Sequence, residues 1–266
     1  APLYTSAGTG GPDVHPIGQL ARYAGGNKVY GHRARIGYTS PPMVTEVFPY
    51  EFYQVAPRGV TLAITTLAVL QVTSEEVRES AQISLRAAKE MGKTGVDLVV
   101  LGGIPINLTV GSDRVGDLIS DTSKACGVRV TTSVTAQVNA LRKLKAQRLG
   151  VIVPGSDNDT AFFGFLKDFG FEVTGIKGAD HAPHQWGRMS SDVCLKLAKQ
   201  IVQEHPEADT LYFPCPHWPV NDQIETMERE LGKNVVGASQ AIIWESLRLC
   251  GIAEPIAGYG RLLRDF

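Results

Sequence analysis

The chain has 266 residues, 43% of them hydrophobic, and carries 26 basic against 27 acidic side chains for a formal charge of −1. That balance, with no long run of one sign, leaves no basis for a nucleic-acid groove or a polybasic membrane patch. The four cysteines, at 126, 194, 215 and 250, show neither a CxxC pair nor metal-ligand spacing, so reduced thiols are expected.

Residues 1–33, rich in Gly, Pro, Thr and His, read as an irregular arm with one or two helical turns over Ile17–Tyr23. Arg35–Ser40 is the first strand and stops at Pro41-Pro42. A short helix over Phe48–Val55 and a β-branched strand over Val60–Leu67 follow. Thr73-Ser-Glu-Glu76 carries the cap pattern of a longer helix, in which Ile83, Leu85, Ala88 and Met91 recur near helical spacing. Asp97–Leu101 is a third strand, with Gly102-Gly103-Ile104-Pro105 as its loop. A helix over Asp113–Ala125, a strand over Val128–Thr132 and a helix over Thr135–Leu144 complete this set.

The pattern then restarts. Arg148–Pro154 is a strand, Asp157–Phe169 helical and Phe171–Ile176 a strand, and the loop Lys177–Trp186 carries His181 and His184. A helix over Asp192–Glu204, a strand over Leu211–Phe213, a helix over Asn221–Leu231 and a strand over Val235–Ser239 with its helix to Leu249 follow. Arg148-Leu-Gly-Val-Ile-Val-Pro154 echoes Arg35-Ile-Gly-Tyr-Thr-Ser-Pro41, and Asp209-Thr-Leu-Tyr-Phe-Pro-Cys215 echoes Asp97-Leu-Val-Val-Leu-Gly-Gly103. The expectation is an α/β fold of two pseudo-symmetric, Rossmann-like parallel-sheet halves facing each other across a cleft. The boundaries are an N-terminal arm over 1–34, a first half over 35–147 and a second over 148–266 whose C-terminal segment returns towards the first. In that alignment Gly103 is the partner of Cys215, and Pro41 that of Pro154.

Cys215 sits just past the carboxyl end of a strand, where open α/β sheets bind ligands. A helix starts close by, and its dipole can lower a thiol pKa. A buried, inert cysteine fits the position equally well. His217, two residues on, either pairs with the thiol or fixes loop carbonyls. His181 and His184 with Asp180 lack the second cluster a metal site needs, so a lid-like loop is the better reading. Trp186 and Trp218 either wall an apolar pocket or simply pack.

At these residues the chain resembles the aspartate/glutamate racemase superfamily, with the arylmalonate decarboxylase branch nearest. The resemblance runs from about Arg35 onward and rests on Cys215 with Ile224–Gly232, on Ala241-Ile-Ile-Trp-Glu-Ser-Leu-Arg-Leu249 and on Gly258-Tyr-Gly-Arg-Leu262. It implies that racemases and maleate isomerases of the superfamily use two cysteines, one per half, whereas the decarboxylases keep only the second. With Gly103 and Cys215 in those places, the implied reaction is loss of CO2 from a malonate-like acid, with Cys215 delivering a proton to one face of the enediolate. The branch also implies Thr and Ser after the first-half glycine, where Ile104 and Pro105 stand. It implies a Tyr after the first strand of the second half, where Pro154-Gly-Ser-Asp-Asn158 stands. After the cysteine it implies a Gly, where Pro216 has no amide hydrogen.

Replacement contacts to the substrate are sought in Ser40, Ser156, Asn158, Thr135, His217 and the amides of Gly102-Gly103 and Gly155-Ser156, with Pro41 lining the site. No metal or other cofactor is expected, because no nucleotide-binding or metal motif is present. The expected partner is a small carboxylate substrate, not nucleic acid or membrane, and a homo-oligomer is compatible with the chain. The absence of a leader pattern and of a membrane-length apolar run gives a cytoplasmic expectation. Two alternatives stay open: an isomerase or racemase of the same superfamily, and a non-catalytic dicarboxylate-binding protein.

Overall fold

The strands pair into two four-stranded parallel sheets with the same internal order. The computed structural model describes residues 30–42, 45–70, 73–157 and 163–266. The first set comprises β1 (Ala34–Pro42), α1 (Val47–Val55), β2 (Val60–Val69), α2 (Ser74–Lys93), β3 (Leu98–Leu101), α3 (Ile104–Asn107), α4 (Val115–Cys126), β4 (Arg129–Thr132) and α5 (Ser133–Lys143). The second comprises β5 (Arg148–Val153), α6 (Gly164–Asp168), β6 (Glu172–Gly178), α7 (Asp192–Glu204), β7 (Thr210–Phe213), α8 (Asn221–Leu231), β8 (Asn234–Gly237), α9 (Ala238–Leu249) and α10 (Arg261–Asp265). Their sheet orders are β2-β1-β3-β4 and β6-β5-β7-β8, so each strand of one half has a counterpart in the other. The expected duplication is present. Among the described residues, no helix is long and apolar enough to cross a membrane.

Strand alternation sorts the side chains into layers. Leu98 and Val100 of β3 face a central core, while Val99 and Leu101 face an outer one with Ala88 and Met91. In β7, Tyr212 faces the centre and Leu211 and Phe213 face outward with Ile201 and Ile224. Helices of both halves supply the central core, including Phe48 and Phe52 of α1, Val134 and Leu141 of α5, and Ile243 and Leu247 of α9.

Some expectations shift. Strand β1 continues through Pro41 and Pro42, which a register shift between Ser40 and Pro42 accommodates. The buried face of α2 is Ser80, Ser84, Ala88 and Met91, and Ile83 is 44% exposed. Hydrogen bonds explain the buried hydroxyls: Ser84 Oγ pairs with Thr39 Oγ1 at 2.8 Å, and Ser80 Oγ donates to the Leu67 carbonyl at 3.2 Å. The capping box of Thr73 and Glu76 forms as read. Ile104 and Pro105 are the first turn of α3, not loop, and proline is well placed where a helix needs no amide. Of the helix expected over Asp157–Phe169, the described residues contain only α6 and its flanks. The arm to residue 29, with Ile17–Tyr23, lies outside the described residues.

Polar contacts tie the halves together. The Tyr212 hydroxyl donates to Gln137 Oε1 at 2.8 Å, and Glu245 accepts from Thr131 Oγ1 at 2.7 Å and Asn139 Nδ2 at 3.0 Å. From α6, Asp168 accepts from Ser112 Oγ at 2.6 Å, just ahead of α4. The Tyr259 hydroxyl reaches the Gln54 carbonyl at 3.1 Å. Tyr212→Phe is expected to cost about 1–2 kcal/mol in urea unfolding, because it leaves the Gln137 carbonyl buried without a donor.

Candidate active site

In the first sheet the strand order reverses between β1 and β3, and in the second between β5 and β7. Such switch points open a crevice at the carboxyl ends of the strands. Ser40 and Pro41 come from the end of β1, and Gly102 and Gly103 from the turn after β3. Gly103 has φ of +84°, and its carbonyl accepts the Asn107 amide at 2.9 Å to start α3. A Cβ at Gly103 would stand 2.6 Å from Pro41 Cγ, so Pro41 fills the space where a side chain would go. The Gly102 amide donates to Thr39 Oγ1 at 3.1 Å, so it is not available to a substrate as the sequence suggested.

On the other side, Cys215 lies between β7 and α8. Trp218 is buried edge-on against Phe213, with ring centroids 5.9 Å apart, so it packs and anchors the loop. The residue Cys215 keeps some exposed surface, but protein atoms enclose its sulfur. Burial pushes the thiol up to about 12; the His217 backbone N–H bonded to the sulfur works against this, and the negative charge of Glu51 adds to it. The shift is upward, which suits a proton donor rather than the lowered pKa that a helix start can give. The first amides of α8 are occupied: Glu51 Oε1 accepts from Val220 N–H and Asn221 N–H, each at 3.0 Å. A carboxylate from α1 of the first half thus takes the positive end of a second-half helix.

His217 is neutral across the physiological range, because burial lowers its pKa to about 4. Neither ring nitrogen makes a hydrogen bond, so the Cys/His pair allowed by the loop spacing does not form.

Tyr38 joins the two sides. Its ring lies against Gly102, where a Cβ would meet Tyr38 Cε2 at 2.9 Å and Cζ at 3.0 Å. Its hydroxyl is raised in pKa, first by burial and then by the charge of an ionised Cys215. Tyr38, Glu51 and Asn221 were not singled out from the sequence. Glu51 did leave a signal, since it falls within the buried stripe Val47, Phe48, Phe52, Val55 of α1, where an acid needs a reason. Tyr38 shares the inward parity of Ile36 on β1.

The surroundings of the other expected site residues are as follows. Thr135 has its amide and hydroxyl bonded to Thr132 Oγ1 at 3.0 and 2.9 Å. It lines an open groove of about 750 Å³ with Ser112, Asp113 and Asp168, a groove that does not include Cys215. Ser156 is exposed, and the Gly155 carbonyl accepts the Asp180 amide at 3.0 Å beneath the Lys177–Arg188 segment. In that segment His181 Nδ1 pairs with the Ala179 carbonyl at 2.7 Å, and Trp186 Nε1 donates to the His181 carbonyl at 2.8 Å. Ile104 is buried in the central core and Pro105 is half-buried. Pro216 is half-buried beside Cys215, its carbonyl accepting from Ser239 Oγ at 3.3 Å. Asn158 lies outside the described residues.

The Glu51 carboxyl has a raised pKa, chiefly from burial, with the amides of Asn221 and Val220 and the Ser239 hydroxyl acting in the opposite sense. A folded-state pKa above the unfolded value stabilises fully below the unfolded pKa and is lost as pH rises through the folded one. Glu51→Gln should therefore gain stability relative to the wild type as pH rises above about 4.3. Glu51→Ala should lose about 2 kcal/mol by leaving two helix amides unpaired. Urea melts of both variants at pH 4.5 and 8 measure these changes.

The same architecture occurs in known proteins. Arylmalonate decarboxylase from Bordetella bronchiseptica is 28% identical over 181 residues, which span 67% of this chain and 75% of that one. Maleate isomerase from Nocardia farcinica is 28% identical over 139 residues, spanning 51% of this chain and 55% of that one. A crystal structure of a glycine-to-cysteine, cysteine-to-serine double mutant of arylmalonate decarboxylase in liganded form matches 88% of this chain and 100% of that one, with a TM-score of 0.80 and 24% identity. The family model described as arylmalonate decarboxylase matches residues 36–263, taking in both sheets, the Gly103 turn and the Cys215 loop, and the chain belongs to that family.

Proposed function

We propose that this protein is a cofactor-independent decarboxylase of a substituted malonate or related dicarboxylic acid, with Cys215 as proton donor. The observations that support this reading are the Cys215 thiol, which burial holds protonated with a pKa of about 12, and the absence of a side chain at its first-half counterpart, Gly103. In the proposed reaction the bond to one carboxyl group breaks, CO2 leaves, and the electron pair stays on the α-carbon as an enediolate. The Cys215 S–H delivers its proton to that carbon, and solvent returns a proton to the thiolate. A general acid must carry its proton at working pH, which burial secures here. Hydrogen bonds to the developing enediolate come from neutral groups, with the Ser40 hydroxyl at the end of β1 as one donor. Gly103 leaves the opposite face without a base, which favours one-sided protonation.

The relationship to maleate isomerase keeps isomerisation as the second reading. Turnover of substituted malonates and unsaturated dicarboxylates in heavy water separates the two. CO2 release with one deuterium on one face of the product supports the decarboxylase. Isomer conversion without CO2 moves the activity to the isomerase, and tight binding without turnover leaves a binding protein.

A further inference from the structure

Buried polar atoms nearly always find a partner, so those that do not need an explanation. Of the buried side-chain polar atoms among the described residues that make no hydrogen bond, seven belong to Tyr38, Ser40, His217, Trp218 and Asn221. Tyr38, Ser40, Glu51, Trp218 and Asn221 are each at most 4% exposed. Such atoms scattered through a core would be defects; gathered beside one thiol they form a set of ligand contacts.

Several contacts place them together. Tyr38 and Ser40 point to the same side of β1. The Tyr38 ring lies on Gly102, and its hydroxyl and Glu51 both interact electrostatically with Cys215. Glu51 holds the Asn221 amide through one oxygen, which fixes Asn221 beside it. The His217 amide bonds the Cys215 sulfur, and Trp218 follows directly. Half-buried Pro41, Gly103, Cys215, Pro216 and His217 mark the edge where this region opens. Among the described residues, the charges acting on Tyr38, Glu51 and Cys215 come from Cys215, Glu51 and Asp222, all acids or thiols.

The geometry points to a hydrogen-bonding subsite beside Cys215, built by Tyr38, Asn221 and His217, for a malonate-like acid whose substituent carries a hydroxyl or similar polar group rather than an aryl ring. This rests on the decarboxylase reading of the same cleft. An aryl substituent would leave these polar atoms unpaired in the complex. A site built to hydrogen-bond a substrate group discriminates strongly against analogues that lack it.

The test is calorimetric titration of hydroxymalonate and phenylmalonate into the full chain carrying Cys215→Ala, so that binding is read whether or not either acid is turned over. Hydroxymalonate is expected to bind at least about 10-fold more tightly. Adding Tyr38→Phe or Asn221→Leu should each erode that preference by about 5-fold or more. Melting temperature should stay level or rise in both variants, because each removes a buried polar group that has no internal partner. A merely structural role predicts the opposite: lower melting temperature and an unchanged preference. Equal or tighter binding of phenylmalonate, binding of neither acid, or a fall in melting temperature with preference intact would each overturn the subsite. If no malonate releases CO2 from the wild type while the hydroxymalonate preference persists, the decarboxylase reading fails and the subsite stands.

Discussion

Under the proposed mechanism, Cys215→Ala is expected to lower CO2 release by about 10³-fold, with a fall in stability of about 1 kcal/mol from the unpaired His217 amide. The substitution removes the proposed proton donor, and within the fold it removes the sulfur that accepts the His217 amide. The raised thiol pKa also fixes the form of the pH profile. Activity carried by a protonated thiol stays level through neutral pH and declines only as pH approaches about 12. His217, with a pKa of about 4, contributes no step between those limits. Alkylation gives an independent check. At pH 8 a thiol of this pKa is ionised to only about 10⁻⁴, so iodoacetamide should modify Cys215 about three orders of magnitude more slowly than an unperturbed thiol. Rapid modification at pH 8 would instead mark a nucleophilic cysteine and turn the mechanism towards covalent chemistry.

Gly102→Ala should cost about 3–4 kcal/mol and lower turnover by about 10²-fold. A Cβ there would stand 2.0 Å from the Thr39 backbone carbonyl and within 3.0 Å of the Tyr38 ring. The carbonyl belongs to the central strand of the first sheet and cannot swing aside. The turn after β3 would have to lift, breaking the bond from Gly102 to Thr39 and shifting Gly103 and Tyr38 together. Urea melts and kcat of the variant measure both effects. Gly116→Ala is the control, because a Cβ there meets nothing within 4 Å.

The fold was legible because its signals are local. Runs such as Leu98–Leu101, the Thr73–Glu76 cap and the repeated arginine-led strands at Arg35 and Arg148 each act over a few residues. Their repetition was enough to give two matching sheets. The Cys215 loop and the Gly103 turn were legible for the same reason, as each follows directly from a strand end. The surroundings of the thiol were not. Glu51 meets the start of α8 across about 170 positions of chain, and no local pattern predicts which helix an acid in an apolar stripe will cap. The Thr135 and Gly102 amides looked available because a sequence cannot show that Thr132 and Thr39 already bind them. The upward Cys215 pKa shift comes first from burial, with the Glu51 charge adding to it, and neither is visible in local sequence.

That two-way crossing has a structural consequence. Glu51 reaches from the first half into the second, and Asp168 reaches from the second into the first, at equivalent places but with different acids and different donors. Two copies of either half would therefore lack one of these contacts, because each half supplies an acid that only the other half's donors meet.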